Sequence, residues 1–252
     1  MVWYTGLDRV ARATGCPVKE IDGWETRGHD GFTACKTIVI HHTAGANNGD
    51  DYNSHSTVLN GRPGLPGPLA QFGIGRNTGT IYLFAAGVAW HAGAVKKTAY
   101  NNWNAIGIEI ENNGTGEKYG AKTYHSAVAL AGELVMEFHL AVADVLGHKE
   151  VCDPPGRKVD PSFDMDEFRR DVQKYIKAKQ GAGSKPAPAS AKPKPAAPKP
   201  KPKPSKGKSI GQMATEVIQG KHGTGHAHRQ ASLGIDAATY AKVRAEVNRR
   251  LS

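Results

Sequence analysis

The chain has 252 residues, 39 % of them apolar, and a formal net charge of +10 at pH 7, enough length and apolar content for one or two domains with real cores. Eight lysines (Lys185, Lys192, Lys194, Lys199, Lys201, Lys203, Lys206 and Lys208) fall in residues 181–208, which hold no acid, so the rest is nearly neutral and a nucleic-acid binder is not indicated. Cys16, Cys35 and Cys152 form no disulfide framework, no apolar run approaches the roughly 18 residues of a membrane helix, and the N-terminus lacks a basic region followed by an apolar one. The expectation is a chain made without a secretory signal, folded in a reducing cytosol and not inserted in a membrane.

In chain order, Leu7, Val10, Ala11 and Ala13 predict a short helix over residues 7–14, closed by Gly15 and Pro17. Trp24 and the turn at residues 27–31 read as a surface lead-in. Residues 37–43, Thr-Ile-Val-Ile-His-His-Thr, are an apolar β-branched run and predict a buried strand. It ends on His41 and His42, and because side chains alternate across a strand only one of them can face a given site. The plain alternative is a core-edge histidine bonded to a carbonyl.

Residues 50–60 predict a helix, 61–68 a loop, and 69–84 a hairpin turning at Arg76-Asn77-Thr78-Gly79. His91, beside Trp90, is by default a hydrogen-bonded or surface histidine, or else lines a groove. Residues 105–111 alternate strictly, with Ile106, Ile108 and Ile110 on one face and Gly107, Glu109 and Glu111 on the other. Alone, that pattern describes a half-buried strand with a solvated acidic face. Residues 124–146 carry apolar positions three or four apart and predict an amphipathic helix that delivers the chain to His148.

Residues 147–164 are rich in Pro and Gly and predict a rigid loop, since each Pro lacks an N–H and fixes φ. The loop offers His148, Cys152, Asp153 and Asp160, all residue types that ligate Zn2+. In isolation a His near a Cys is more often a solvated pair, and a second histidine from elsewhere would be needed for a metal site. Asp164 is placed to cap a helix running to about Lys179. Residues 181–208, with eight prolines, predict an extended, disordered linker of roughly 3 Å per residue. Residues 209–252 predict a small three-helix bundle, its last helix capped by Asp236 with Tyr240, Val243, Val247 and Leu251 inward.

With Ile38-Val39-Ile40-His41-His42-Thr43-Ala44, Ile106-Gly107-Ile108-Glu109-Ile110-Glu111 and the His148 to Pro161 loop together, the chain resembles the zinc-dependent N-acetylmuramoyl-L-alanine amidases. That family includes the phage lysozyme-type amidases and the peptidoglycan recognition proteins. The resemblance, over roughly residues 35–175, implies an α/β unit with a central mixed β-sheet flanked by helices. It implies Zn2+ held by His41, His148 and Asp160, with Cys152 outside the ligand set and His42 in a packing role. Glu109 matches the family's proton-shuttling carboxylate, and Lys158 is positioned to stabilise an oxyanion. Where the phage lysozyme branch has a hairpin tyrosine this chain has Gln71, which places it with the members that use the strand glutamate. His91 and Gln71 are taken as substrate-binding.

The last 44 residues resemble the small cell-wall-binding repeat of certain phage lysozymes, the Cpl-seven type. The likeness rests on Met213 to Ile218, Gly220-Lys221 with Gly223 and Gly225, Arg229, and the Val243 to Leu251 helix. It implies a muropeptide-binding module with Lys221 and Arg229 as contacts. The sequence thus reads as a catalytic domain (1–180), a linker (181–208) and a wall-binding repeat (209–252). The expected function is that of a monomeric peptidoglycan hydrolase of endolysin type, made in a host cytoplasm and acting on the wall after release through the membrane. The alternatives are a bacterial autolysin of the same chemistry and a non-catalytic peptidoglycan-binding protein.

Overall fold

The structure is a computed structural model describing residues 1–182, 208–219, 221–222 and 226–251. The chain divides into two compact units, one holding the described residues up to 182 and the other those from 208 on. The linker expected over 181–208 lies outside the described residues except at its two ends.

In the first unit, α1 (Leu7–Ala13) and β1 (Val18–Glu20) precede a single 3-10 turn at Trp24–Thr26. Trp24 is buried in the main core, so the segment expected to be a surface lead-in supplies core volume, and β1 just before it is an edge strand of the sheet. Then come β2 (Thr37–His42), α2 (His55–Asn60), the two-residue strands β3 (Gly61–Arg62) and β4 (Leu65–Pro66), β5 (Phe72–Ile74), β6 (Ile81–Leu83) and β7 (Ala105–Ile110). The helix expected over 50–60 is confined to its second half, because the Asp51 side chain accepts the Asn77 and Thr78 N–H groups and holds residues 51–54 as a turn. The loop expected over 61–68 contains the β3–β4 hairpin.

The 18-residue helix α3 (Ala121–Phe138) follows, and the amphipathic helix expected to reach residue 146 stops there. His139 takes a left-handed φ of 55°, the usual C-terminal stop. Residues 145–147 form a strand, β8 (Val145–Gly147), paired in parallel with Ile38, Val39 and Ile40 of β2. The one-turn helix α4 (His148–Val151) starts the segment expected to be wholly loop, and α5 (Met165–Ala182) closes the unit, capped by the Asp164 carboxylate accepting the Glu167 N–H at 2.8 Å.

The sheet is six-stranded and mixed, in the order β1-β6-β5-β7-β2-β8, and only the β5–β6 pairing is antiparallel. Ile38, Ile40, Ile106 and Ile108 lie on one face and pack with Leu7 and Val10 of α1, Leu130 and Leu134 of α3 and Phe168 and Val172 of α5. Each such side chain, fully buried, contributes roughly 1.5–3 kcal/mol. The opposite face is also covered: Glu111 is 1 % exposed and the Glu109 side chain 17 %, so the acidic face expected to be solvated lies beneath loops.

In the second unit α6 (Ile210–Ile218), α7 (His226–Leu233) and α8 (Ala237–Leu251) enclose Met213, Val217, Leu233, Tyr240, Val243 and Val247. Ser209 caps α6 by accepting the Gln212 N–H, and Asp236 accepts the Thr239 N–H at 2.8 Å. The Leu251 side chain, Gly220 and Gly223 to Gly225 lie outside what is described.

One buried ion pair ties the loop after β2 to the end of β7. Arg76 donates to Glu111 Oε1 at 3.2 Å and to the carbonyls of Gly45 and Ala46 at 2.8 and 3.2 Å, while Ser54 donates its N–H and hydroxyl to the same carboxylate, each at 3.1 Å. Arg76 also pairs with Glu117. Arg76→Ala would leave Glu111 buried without a cation, and a loss of about 3–5 kcal/mol is expected in denaturant unfolding. Arg9→Ala, which breaks an exposed pair with Glu137, is expected to cost under about 1 kcal/mol in the same assay.

Candidate metal centre and active site

The strands β7, β2 and β8 are neighbours, run parallel and bring their carboxyl ends to one place, where open α/β sheets bind ligands. His41 on β2 is in register with Glu109 on β7, so their side chains share a face. The end of β8 passes directly into His148 at the start of α4. Asp160 is brought back by the loop that follows: Lys149 donates its backbone N–H to the Asp160 carbonyl, and its ammonium to the carbonyls of Pro161 and Phe163, all at 2.8 Å. Arg157 fastens the loop's other side, donating to the carbonyls of Asp153 at 2.9 Å, Ala94 at 2.7 Å and Ala92 at 3.3 Å.

Three ligand atoms converge. His41 Nδ1 and His148 Nδ1 are 2.9 Å apart, and Asp160 Oδ2 lies 3.2 Å from the first and 3.1 Å from the second. All three residues are buried. The outer ring nitrogens say what the inner ones carry. His148 Nε2 is 3.0 Å from the Ala92 carbonyl, which can only accept, so the neutral ring holds its proton there and presents a lone pair at Nδ1. His91 Nε2 faces the Ala105 carbonyl at 3.1 Å, so the neutral His91 ring has a lone pair at Nδ1, which lies 3.1 Å from His41 Nε2. His41 therefore donates Nε2–H outward, and its Nδ1 is also bare. In these tautomers two imidazole nitrogens and a carboxylate oxygen, packed this closely, are a donor set for a divalent cation.

Burial pulls the His41 pKa down to about 4, despite the raising effect of Asp160, so the ring is neutral at physiological pH. Burial, reinforced by Asp160, pushes Glu109 up to about 8. Glu109 Oε1 is 4.0 Å from His41 Nδ1, and Oε2 is buried without a partner. A cavity of about 410 Å³ opens over the group, lined by Glu109, His148, Asp160, Lys158, His42 and Thr43 among others. A second cavity of about 370 Å³ shares Trp90, His91, His148 and Lys158 with it and extends to Asn102 and Trp103.

Of the residues singled out from sequence, Glu109, His148, Lys158 and Asp160 line this cavity, and His41 is grouped with His148 and Asp160 beneath it. Gln71 does not. It is fully buried, its Oε1 accepts the Gly107 N–H at 2.7 Å and its Nε2 donates to the Gly87 carbonyl at 3.0 Å, so the expected substrate contact is corrected to a backbone brace. His91 lines the cavity, but both of its ring nitrogens are engaged within the protein. Cys152 is buried apart from the ligand group, its thiol directed at the carbonyls of Lys149 and Pro154. His42 pairs with the Tyr119 hydroxyl at 3.2 Å. In the second unit Lys221 is exposed and Arg229 half-buried. Arg62, Asn102 and Trp103 line the cavities without having been anticipated; they sit on a two-residue strand and in a turn, which carry no periodic signal.

This ligand set makes a clear distinction between two variants. Cys152→Ala is expected to retain one zinc per chain by metal analysis after dialysis, whereas Asp160→Ala is expected to lose most of it.

The sequence profile described as N-acetylmuramoyl-L-alanine amidase matches residues 31–163, and that of the CW_7 repeat matches residues 211–251. No curated protein matches the chain. Similar solved structures include a selenomethionine derivative of AmpD (23 % identity, 62 % of this chain and 94 % of that one, TM-score 0.48). Others are the N-acetylmuramoyl-L-alanine amidase LysC from Clostridium intestinale URNW (24 %, 62 % and 97 %, 0.47) and a mutant endolysin from Bacillus subtilis (24 %, 62 % and 99 %, 0.46).

Proposed function

The chain belongs to the N-acetylmuramoyl-L-alanine amidase family, and from that premise we propose that it cleaves the amide between N-acetylmuramic acid and L-alanine at a zinc centre formed by His41, His148 and Asp160. It is a peptidoglycan amidase with a CW_7 repeat. The observation carrying the zinc assignment is the convergence of three buried ligand atoms, from His41, His148 and Asp160, beside Glu109 and Lys158.

When bound, a zinc ion supplies Lewis acidity, polarising the amide carbonyl and acidifying a water. The remaining work falls to this chain's own groups. Glu109 sits on the same sheet face as His41 and accepts the proton of the attacking water, then hands it to the leaving amine. Burial biases Glu109 toward the neutral acid, a bias that a divalent charge beside it reverses. Lys158, two residues before Asp160 and on the wall of both cavities, faces the same space with a positive charge for the oxyanion of the tetrahedral state.

Among the described residues no helix is long and apolar enough to cross a membrane. The second unit supplies wall affinity that raises the local concentration of the first at its substrate. A role as a phage endolysin, released from a host cytoplasm onto the wall as a monomer, agrees with this division of labour.

EDTA is expected to abolish muralytic activity and added Zn2+ to restore it. Glu109→Gln is expected to keep bound metal while turnover falls by about 10²–10⁴-fold; normal rates in that variant would refute the role given to Glu109. Mass spectrometry of digested wall is expected to show free N-terminal alanine on intact glycan, and new reducing ends would identify a glycosidase. Removing residues 209–252 is expected to spare hydrolysis of soluble muropeptides and to reduce lysis of cells.

A further inference from the structure

His91 is buried, touches the candidate centre and has no part in the chemistry above. Its place is built from several directions. The Asn102 side-chain oxygen accepts the N–H groups of His91 and Ala92 at 3.1 and 2.9 Å, which fixes the backbone. The ring lies over Gly107 of β7, where a Cβ would come within 2.6 Å of His91 Cγ, so the position between Ala105 and Glu109 on that strand face has to be glycine. Gly107 is itself held by Gln71, whose amide oxygen takes its N–H and extends the β5–β7 ladder one residue beyond Phe72. The ring then meets His41 edge to face, centroids 5.1 Å apart and planes at 83°, with His41 Nε2 directed at His91 Nδ1.

We propose that His91 is a positioning residue for the metal ligand His41: by donating its own Nε2–H to the Ala105 carbonyl and accepting His41 Nε2–H, it keeps the His41 Nδ1 lone pair free for a divalent cation. Gly107 and Gln71 form the seat that lets it do so. The inference rests on the reading of His41, His148 and Asp160 as metal ligands. The competing arrangement is explicit. His41 is 1 % exposed, and without an acceptor at Nε2 its proton would move to Nδ1, where Asp160 Oδ2 at 3.2 Å accepts it. The centre would then close on an internal hydrogen bond instead of a cation. Groups that orient a ligating imidazole in this way are worth roughly 10–100-fold in metal affinity.

Zinc alone, in competition with a chromophoric chelator, tests this on the full chain. His91→Phe keeps ring volume and removes the acceptor, so a loss of about 10–100-fold in zinc affinity is expected. His91→Asn places an amide oxygen where Nδ1 stood and is expected to recover most of that loss, which a merely space-filling role would not produce. Wild-type affinity in His91→Phe, or equal weakness in Phe and Asn, overturns the proposal. A wild-type chain that binds no zinc would instead sink the ligand assignment. Should His91→Phe fail to fold, ring 15N NMR of the wild-type protein decides: Nε2–H tautomers are expected at both His41 and His91, and an Nδ1–H tautomer at His91 contradicts the proposal.

Discussion

Three potential ligand atoms brought to one point, two imidazole nitrogens and a carboxylate oxygen, form the constraint around which the catalytic unit is built. His41 Nδ1, His148 Nδ1 and Asp160 Oδ2 lie about 3 Å apart, close enough to share one divalent cation. Holding it requires that both imidazoles be locked in the tautomer that donates away from the site. The Ala92 carbonyl does this for His148, and the chain through His91 to the Ala105 carbonyl does it for His41. The first carbonyl belongs to a loop beside the sheet and the second to the opening residue of β7, neither of them on β2 or α4, which carry the two histidines.

The fold serves that constraint through three parallel strands that end together. β7 presents Glu109 and β2 presents His41 in register, and β8 hands over to His148 at the start of α4, so of the five groups proposed for the chemistry two are set by strand register and a third by where β8 ends. The other two, Lys158 and Asp160, come from one loop, which Lys149 and Arg157 fasten to neighbouring carbonyls. Helices α1, α3 and α5 bury the far face of the sheet and leave the near face for chemistry. The Arg76–Glu111 pair plays the corresponding role for the loop after β2, whose residues Thr43 and Ala44 wall the cavity.

Much of this was legible in the sequence, because the residues concerned have period-2 or period-3.6 surroundings. The runs at 37–43 and 105–111 could only be strands, and the resemblance carried by their histidine and glutamate, with the 148–160 loop, named the groups that meet. What stayed hidden was set by tertiary pairing. β8 continues the apolar spacing of α3 and reads as helix from sequence; only its ladder with Ile38 to Ile40 makes it a strand. Trp24 reads as an isolated aromatic in a turn-rich segment, yet it fills the core. Gln71 and His91 are polar residues whose partners are backbone carbonyls, amides and another histidine far away in sequence, so no local pattern could distinguish a substrate contact from an internal brace.

X-ray absorption at the zinc edge, on the full chain loaded with one equivalent of Zn2+, bears most directly on the central claim. The account predicts a first shell of nitrogen and oxygen only, with distances of about 2.0–2.2 Å and imidazole scattering from two histidines. A sulfur scatterer at about 2.3 Å, or a spectrum with a single histidine, would contradict it.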